Sequence, residues 1–247
     1  MPPRRSEHGP PWLVIPTYDE AENVAPIVTA ALRKLPTAGR VLIVDDNSPD
    51  GSGEIADRLA AEQERVEVLH RPRKEGLGPA YVAGFRRALA GGAGLIVEMD
   101  ADFSHDPAYL PRLLDAAGEA DLVVGSRYVA GGGVGDWGPL RRAISRGGSA
   151  YARVALGVDV RDLTGGFKCF RRELLEAIDL DSVRSRGYAF QVELTYRALQ
   201  LGFEVAEVPI VFRDRRVGAS KMDRSIVLEA IWRVPLLRFT GRERGKR

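Results

Sequence analysis

Short β-branched apolar runs alternate with stretches whose apolar residues recur every three or four positions, and this rhythm governs the first half of the chain. The runs WLVI at 12–15, VLIVD at 41–45, VEVLH at 66–70, LIVEMD at 95–100 and DLVVGSRY at 121–128 read as strands buried on both faces. Between them the periodicity predicts helices over 22–35, 54–64, 79–89 and 107–117. Strand and helix in regular alternation predict an α/β fold with a mostly parallel sheet flanked by helices. The second half loses the alternation. Gly131, Gly132, Gly133, Gly135 and Gly138 crowd one segment, which fits a mobile covering loop. A helix over 140–156, a turn at Asp162-Leu163-Thr164-Gly165-Gly166, a helix over 189–201 and a strand over 205–212 follow. No linker composition and no fixed repeat divide the chain, so a single domain is expected.

In open parallel sheets, ligands bind beyond the carboxyl ends of the strands. The residues there are acidic and polar each time: Pro16-Thr17-Tyr18-Asp19-Glu20, then Asp45-Asp46-Asn47-Ser48-Pro49-Asp50-Gly51, then Asp100-Ala101-Asp102-Phe103-Ser104. Three acid-bearing loops would converge on one edge.

Composition narrows the classes without choosing among them. The chain has 247 residues, 45% hydrophobic and 28% charged, with a formal net charge of +2, which describes a globular protein and gives no ground for wholesale nucleic-acid binding. The lone Cys169 cannot form an intramolecular disulfide and suits a reducing compartment as a small buried hydrophobe. No apolar run reaches the roughly 18 residues of a membrane span, and the N-terminus lacks the apolar stretch of a signal peptide. Work on a membrane would then be done from its surface or through an anchored partner.

Asp100 and Asp102, spaced i and i+2, project to the same side and can share a divalent cation with phosphate oxygens; two solvated loop acids remain the alternative. Asp45, Asp46 and their neighbours, like Glu20, are either turn residues or ligands of a ribose or base edge. Charge is unevenly placed. Arg127, Arg141, Arg142 and Arg146 face only Asp136 over 127–146, and Arg213, Arg215, Arg216, Lys221 and Arg224 face Asp214 and Asp223 over 213–224. Solvated faces explain such runs, and so does recognition of phosphate by guanidinium forks. Beyond Ser225, Ile226, Val227, Ala230 and Ile231 lie at helical spacing before a basic tail, which suits a core-packing helix or an interfacial segment on anionic lipid. His8, His70 and His105 have no zinc-ligand spacing, and no P-loop, Rossmann fingerprint or G-x-S-x-G elbow occurs.

Taken together, VIPTYDEAENV at 14–24, VDDNSPDGS at 44–52, MDADFSHDP at 99–107, VGSRYVAGGGV at 124–134, DLTGGFKCF at 162–170 and RRVGASKM at 215–222 resemble one family, in order and over nearly all of 12–240. The chain resembles the dolichol-phosphate (polyprenol-phosphate) mannosyltransferases, inverting glycosyltransferases with the GT-A fold. The first three motifs are shared widely among GT-A nucleotide-sugar transferases, whereas the combination with the last three is more specific. The resemblance implies a GT-A catalytic domain over 12–224, a flexible N-terminus over 1–11, and a C-terminal amphipathic helix and basic tail over 225–247. It implies a guanosine site at Pro16, Tyr18, Glu20, Val44 and Asp46, with Asp100, Ala101 and Asp102 holding the diphosphate and its Mg²⁺ or Mn²⁺. Ser104 stands where some relatives place a glutamine that completes the metal site. Arg127, Arg141 and Ser145 match positions that hold the acceptor's phosphate, and Arg215 and Lys221 match a loop closing over the sugar nucleotide. Asp19 departs from the family's usual asparagine. The implied reaction transfers mannose from GDP-mannose to polyprenyl phosphate, with Asp100, Asp102 and Arg127 at its centre.

A lipid phosphate is already anionic near neutral pH, so its attack needs no side-chain base, and none stands out in the chain. The implied setting is the cytoplasmic face of a membrane, reached through a separate anchoring protein, with no nucleic-acid partner. The rival readings are transfer of glucose or another sugar from a UDP-sugar to the same lipid, and a catalytically inert nucleotide-sugar binder, for which a broken D-x-D or a lost arginine would be expected.

Overall fold

The computed structural model describes residues 9–135, 137–183, 185, 187–214 and 234–238. Strand and helix alternate through β1 (Pro11–Thr17), α1 (Ala21–Leu32), β2 (Arg40–Asp45), α2 (Ser52–Glu62), β3 (Val66–His70), α3 (Leu77–Ala90) and β4 (Leu95–Glu98). A 3₁₀ turn, Pro107–Tyr109, then leads into α4 (Leu110–Ala116) and β5 (Leu122–Ser126). The rest comprises β6 (Gly133–Val134), α5 (Pro139–Leu156), β7 (Lys168–Arg171), α6 (Arg172–Ala177), α7 (Gly187–Gln200), β8 (Val205–Pro209) and β9 (Val211–Phe212).

The main sheet runs β3-β2-β1-β4-β7-β5-β8, parallel except for β7, which is antiparallel to both neighbours. Alternate residues of each strand enter opposite cores, the period-2 consequence of the pleat. Leu13, Ile15, Val41, Ile43 and Val97 pack with α1 and α4, whereas Trp12, Val14, Leu42, Val44 and Ile96 pack with α3 and α7. Helix α3 approaches β1 and β2 closely at Gly84, where a Cβ would stand 2.4 Å from Val14 Cγ1 and 3.0 Å from Val44 Cγ2. A third cluster joins Ala152 and Leu156 of α5 to Val192 and Tyr196 of α7, with Val234 buried among them.

Several sequence expectations change. The glycine-rich segment is not simply a covering loop, because Gly133 and Val134 pair in parallel with Val211 and Phe212 as a second small sheet. The strand expected over 205–212 is accordingly divided at Ile210 between two sheets. Strand β4 ends at Glu98, which leaves Met99 and Asp100 in the loop. Strand β7 and helix α6 were not anticipated, since Lys168 and Arg171 give the run KCFR the look of surface. Both charges are instead buried and bonded: Lys168 Nζ donates to Gln191 O at 2.8 Å and to its Oε1 at 2.7 Å. Arg171 donates to the carbonyls of Ala117, Gly118 and Ala120, satisfying the C-terminal end of α4. The C-terminal helix expected over 225–247 lies outside the described residues except for a helical turn at 234–238, whose Val234 faces the core.

Candidate active site

The three acid-bearing loops do meet at the carboxyl edge of β1, β2 and β4. Each holds one non-glycine residue in the left-handed region: Asp19 at φ 54°, Asn47 at φ 61° and Phe103 at φ 63°. No other non-glycine among the described residues has positive φ, and for a bulky phenylalanine the conformation is costly. Among the described residues the positive-φ non-glycines thus gather at this one edge of the sheet.

The first two loops are tied together. Ser48 Oγ accepts the Asp19 N–H at 3.3 Å, Ser52 Oγ accepts the Glu20 N–H at 2.9 Å, and Asp50 Oδ2 accepts the Ala21 N–H at 3.0 Å, supplying a partner for the start of α1. Burial works against the Asp50 charge, but bonds from Ser52 and from the Ala21 and Ser52 N–H groups outweigh it and lower the carboxyl below its ordinary value. Glu20 accepts from Asn23 Nδ2 at 2.7 Å. Asp46 is buried and accepts from Arg71 and from the Glu75 and Gly76 N–H groups at 3.1 and 3.3 Å, so it holds the 71–76 loop. That loop places Lys74 Nζ 3.6 Å from the centre of the Tyr18 ring, beside a recess of about 510 Å³ lined by Lys74, Glu75, Gly76 and Pro79. Pro16 ends in register with Val44. Val44 and Ala101 are core residues whose side chains lie in the two hydrophobic clusters, so neither presents a side chain to a ligand.

His70, at the end of β3, lies 2.8 Å from Asp57 Oδ1 and 3.3 Å from Asp45 Oδ2. The Asp57 bond raises its pKa above the ordinary 6.5. Its stabilising contribution is therefore full below 6.5 and lost as pH rises through the raised value. Asp57→Asn should return the imidazole titration, followed by NMR, toward 6.5; an unchanged midpoint would show that Asp57 does not govern it.

The third loop is built around His105, which sequence reasoning passed over. Its ring stacks on Phe167 at 5.1 Å and meets the edge of Phe212 at 5.5 Å. Burial pushes its pKa down to about 4, with Asp102 pulling it up and Arg127 down, and Nδ1 accepts the Asp100 N–H at 3.2 Å. The imidazole is thus neutral near pH 7 with Nδ1 occupied as an acceptor. Tyr81 OH donates to Asp100 Oδ1 at 3.2 Å, and burial keeps the phenol protonated well above its ordinary range. Asp102 Oδ1 accepts the Ser104 N–H at 3.0 Å, and Ser104 O accepts the Arg213 N–H at 3.3 Å.

A divalent cation fits this loop. Ser104 Oγ is buried with no hydrogen-bond partner among the described residues, next to a carboxylate. No three of His, Cys, Asp or Glu among the described residues form a cage, and Mg²⁺ or Mn²⁺ held by one or two carboxylates together with a ligand's phosphates needs none.

Across from this loop, contacts run from His105 through Phe212 to Arg127, whose guanidinium carbon lies 5.5 Å from the Phe212 ring centre and 5.2 Å from that of Tyr128. Tyr128 OH donates to Ser145 Oγ on α5 at 2.6 Å. Arg127 differs from the open phosphate ligand its sequence position suggests, because Nε and Nη2 each donate to the Asp162 carboxylate at 2.7 Å and Nη2 also to Thr164 Oγ1 at 2.9 Å. Burial works against the guanidinium charge, yet the bonds to Asp162 raise its pKa above the ordinary arginine value. Arg141 lies over the Trp137 ring at 4.2 Å and pairs with both oxygens of Asp214 at 2.8 and 2.9 Å. Arg215 and Lys221 lie outside the described residues. The sequence marks Asp162 and Thr164 as turn residues within a family motif and gives them no role; nothing local signals a carboxylate that bonds an arginine 35 positions earlier.

A family model described as glycosyl transferase family 2 matches residues 12–179. The undecaprenyl-phosphate mannosyltransferase of Micrococcus luteus is 49% identical over 234 residues, covering 95% of this chain and 96% of that protein. The polyprenol monophosphomannose synthase of Mycolicibacterium smegmatis is 49% identical over 232 residues, covering 93% and 87%. Among solved structures, a mycobacterial protein superposes with TM-score 0.67 at 20% identity, over 94% of this chain and 74% of that one. The glucosyl-3-phosphoglycerate synthase of Mycobacterium tuberculosis, in complex with Mn²⁺, UDP and glucosyl-3-phosphoglycerate, superposes with TM-score 0.64 at 19% identity, over 94% and 79%. These structural likenesses carry the fold alone.

Proposed function

Because the chain belongs to glycosyl transferase family 2, we propose that it transfers mannose from GDP-mannose to the phosphate of a polyprenyl monophosphate, with inversion. The observation that carries this reading is the contact path joining the Asp100–Ser104 loop to the arginine-bearing wall of Arg127, Tyr128 and Ser145. The names of the two relatives support the acceptor and the sugar.

An oxygen of the acceptor phosphate attacks the anomeric carbon as the bond from that carbon to the diphosphate breaks, and the electron pair leaves on GDP. The attacking oxygen is already anionic, so no proton need be removed. The residues bring two anions together and orient them. Asp100, Asp102 and Ser104 would hold a divalent cation, which when bound neutralises charge on the leaving diphosphate. Tyr81 orients Asp100 through its hydroxyl. On the acceptor side Ser145 accepts from Tyr128 and keeps its own hydroxyl proton to donate to a phosphate oxygen. Arg141 can exchange the half-exposed Asp214 for phosphate.

Calorimetry separates the donors. GDP in Mg²⁺ or Mn²⁺ should bind at least about tenfold more tightly than UDP, a difference of about 1.4 kcal/mol; tighter UDP would replace GDP-mannose with a UDP-sugar.

A peripheral position on the cytoplasmic face of the membrane is part of the proposal. Among the described residues no helix is long and apolar enough to cross a membrane. Helix α5 nevertheless exposes Leu140, Ile144, Tyr151 and Val154, which fall within about 80° of one another at 100° per residue, opposite its buried Ser149, Ala152 and Leu156. Exposed Arg141 stands about 60° beyond one edge of the stripe and exposed Arg146 about 80° beyond the other, which suits a helix lying at an anionic lipid surface. The double variant Ile144→Glu/Val154→Glu should lower cosedimentation with phosphatidylglycerol vesicles about tenfold while leaving GDP binding unchanged; undiminished sedimentation would remove α5 from the membrane.

A further inference from the structure

The buried ion pair behind the acceptor wall has a geometry that stability alone does not explain. Asp162 is fully buried, and its Oδ2 accepts both the Arg127 N–H at 2.9 Å and Nε at 2.7 Å, while Oδ1 accepts Nη2 at 2.7 Å. Asp162 is itself fixed, because its N–H and that of Arg161 donate to the Glu207 carboxylate of β8 at 2.9 and 2.8 Å. Thr164 Oγ1 accepts from Arg127 Nη2 and lies 3.1 Å from Ser149 Oγ on α5. One continuous set of hydrogen bonds therefore runs from β8 through the 161–164 turn to Arg127 and to α5. A buried charge pair of this kind is often no more stabilising than apolar residues of the same volume, so stability by itself does not account for it.

That geometry is one-sided. With Nε and Nη2 committed, Nη1 is the guanidinium nitrogen without a hydrogen-bond partner among the described residues, and the charge of Arg127 is already balanced by Asp162. Arg127 then offers directed N–H groups more than net charge, while Arg141 and Ser145 are set by the position of α5, which Thr164 and Ser149 join to the same turn. We infer that Asp162 and Thr164 are positioning residues that register Arg127 against α5 and so shape the site for the acceptor phosphate. This rests on the lipid-phosphate acceptor proposed above.

Steady-state transfer to a short-chain polyprenyl phosphate tests the inference in Thr164→Val, Thr164→Ser and Asp162→Asn. Thr164→Val removes the bridging hydroxyl at nearly constant volume and leaves the ion pair in place, so it keeps the test decisive if Asp162→Asn fails to fold. The expected result is an acceptor KM raised about tenfold in Thr164→Val and more in a folded Asp162→Asn, with the donor KM and the GDP dissociation constant within about twofold of wild type. Thr164→Ser should restore the acceptor KM. An unchanged acceptor KM in Thr164→Val beside an active wild type overturns the positioning role alone, as does a donor KM that rises in parallel. A wild-type protein that makes no lipid-linked sugar from any donor overturns the acceptor reading, and the positioning role with it.

Discussion

Replacing Asp102 with asparagine is expected to lower turnover at least about a hundredfold, the scale of losing one preorganised electrostatic contact to a developing charge. Asp102 is buried beside Ser104, whose hydroxyl has no partner among the described residues, and its Oδ1 accepts the Ser104 N–H. Asparagine retains that acceptor, so the loop and its strained Phe103 should survive while the negative charge is lost. Thermal melting within a few degrees of wild type, together with a weakened dependence on Mg²⁺ or Mn²⁺, would place the defect in charge and not in folding. Asp100→Asn should resemble it, since Tyr81 can still donate to the amide oxygen. Turnover retained in both variants would remove the carboxylates from the reaction.

The second large effect is on stability. Glu98 and Lys168 face each other across β4 and β7, both fully buried, with Lys168 Nζ 3.8 Å from Glu98 Oε1. Burial raises the Glu98 pKa to about 8 and lowers that of Lys168 to about 8, each group's charge partly restoring the other. Lys168→Met leaves Glu98 without its counter-charge and should destabilise the fold by about 3–5 kcal/mol. A carboxyl whose folded pKa lies above its unfolded value of 4.5 is best tolerated below that value, and its cost grows as pH rises toward the folded value. The wild type bears that same cost up to about pH 8, so the variant's extra deficit should open above it, where Lys168 no longer supports the ionised Glu98; denaturant unfolding should show a larger deficit at pH 9 than at pH 5, and the double variant Glu98→Gln/Lys168→Met should recover much of the loss. A deficit independent of pH would mean that lost packing and not orphaned charge is responsible.

The half of the fold built from local alternation was legible in the chain. Strands 1 to 3 and the acidic loops announce themselves through contiguous apolar runs and turn residues, and Asp100-x-Asp102 follows directly from its place after a buried strand. What stayed hidden depends on partners distant in sequence. Strand β7 hides because Lys168 and Arg171 look solvated until Gln191 and the carbonyls at the end of α4 are brought to them. The division of 205–212 between two sheets depends on Gly133 and Val134, which by themselves signal only a loop. Arg127 was singled out by charge and by resemblance, yet its bidentate partner Asp162 sits in a turn whose composition already explained it. His105, judged only for zinc-ligand spacing, shapes the third loop through an acceptor nitrogen and two aromatic contacts that no motif encodes.

The most direct measurement is transfer of labelled sugar from GDP-mannose, beside UDP-glucose, onto short-chain polyprenyl phosphate in detergent, with and without Mg²⁺ or Mn²⁺. A metal-dependent mannosyl lipid from GDP-mannose is expected, joined through the phosphate with inverted anomeric configuration. Product formed from UDP-glucose alone, or a product with retained configuration, would contradict it.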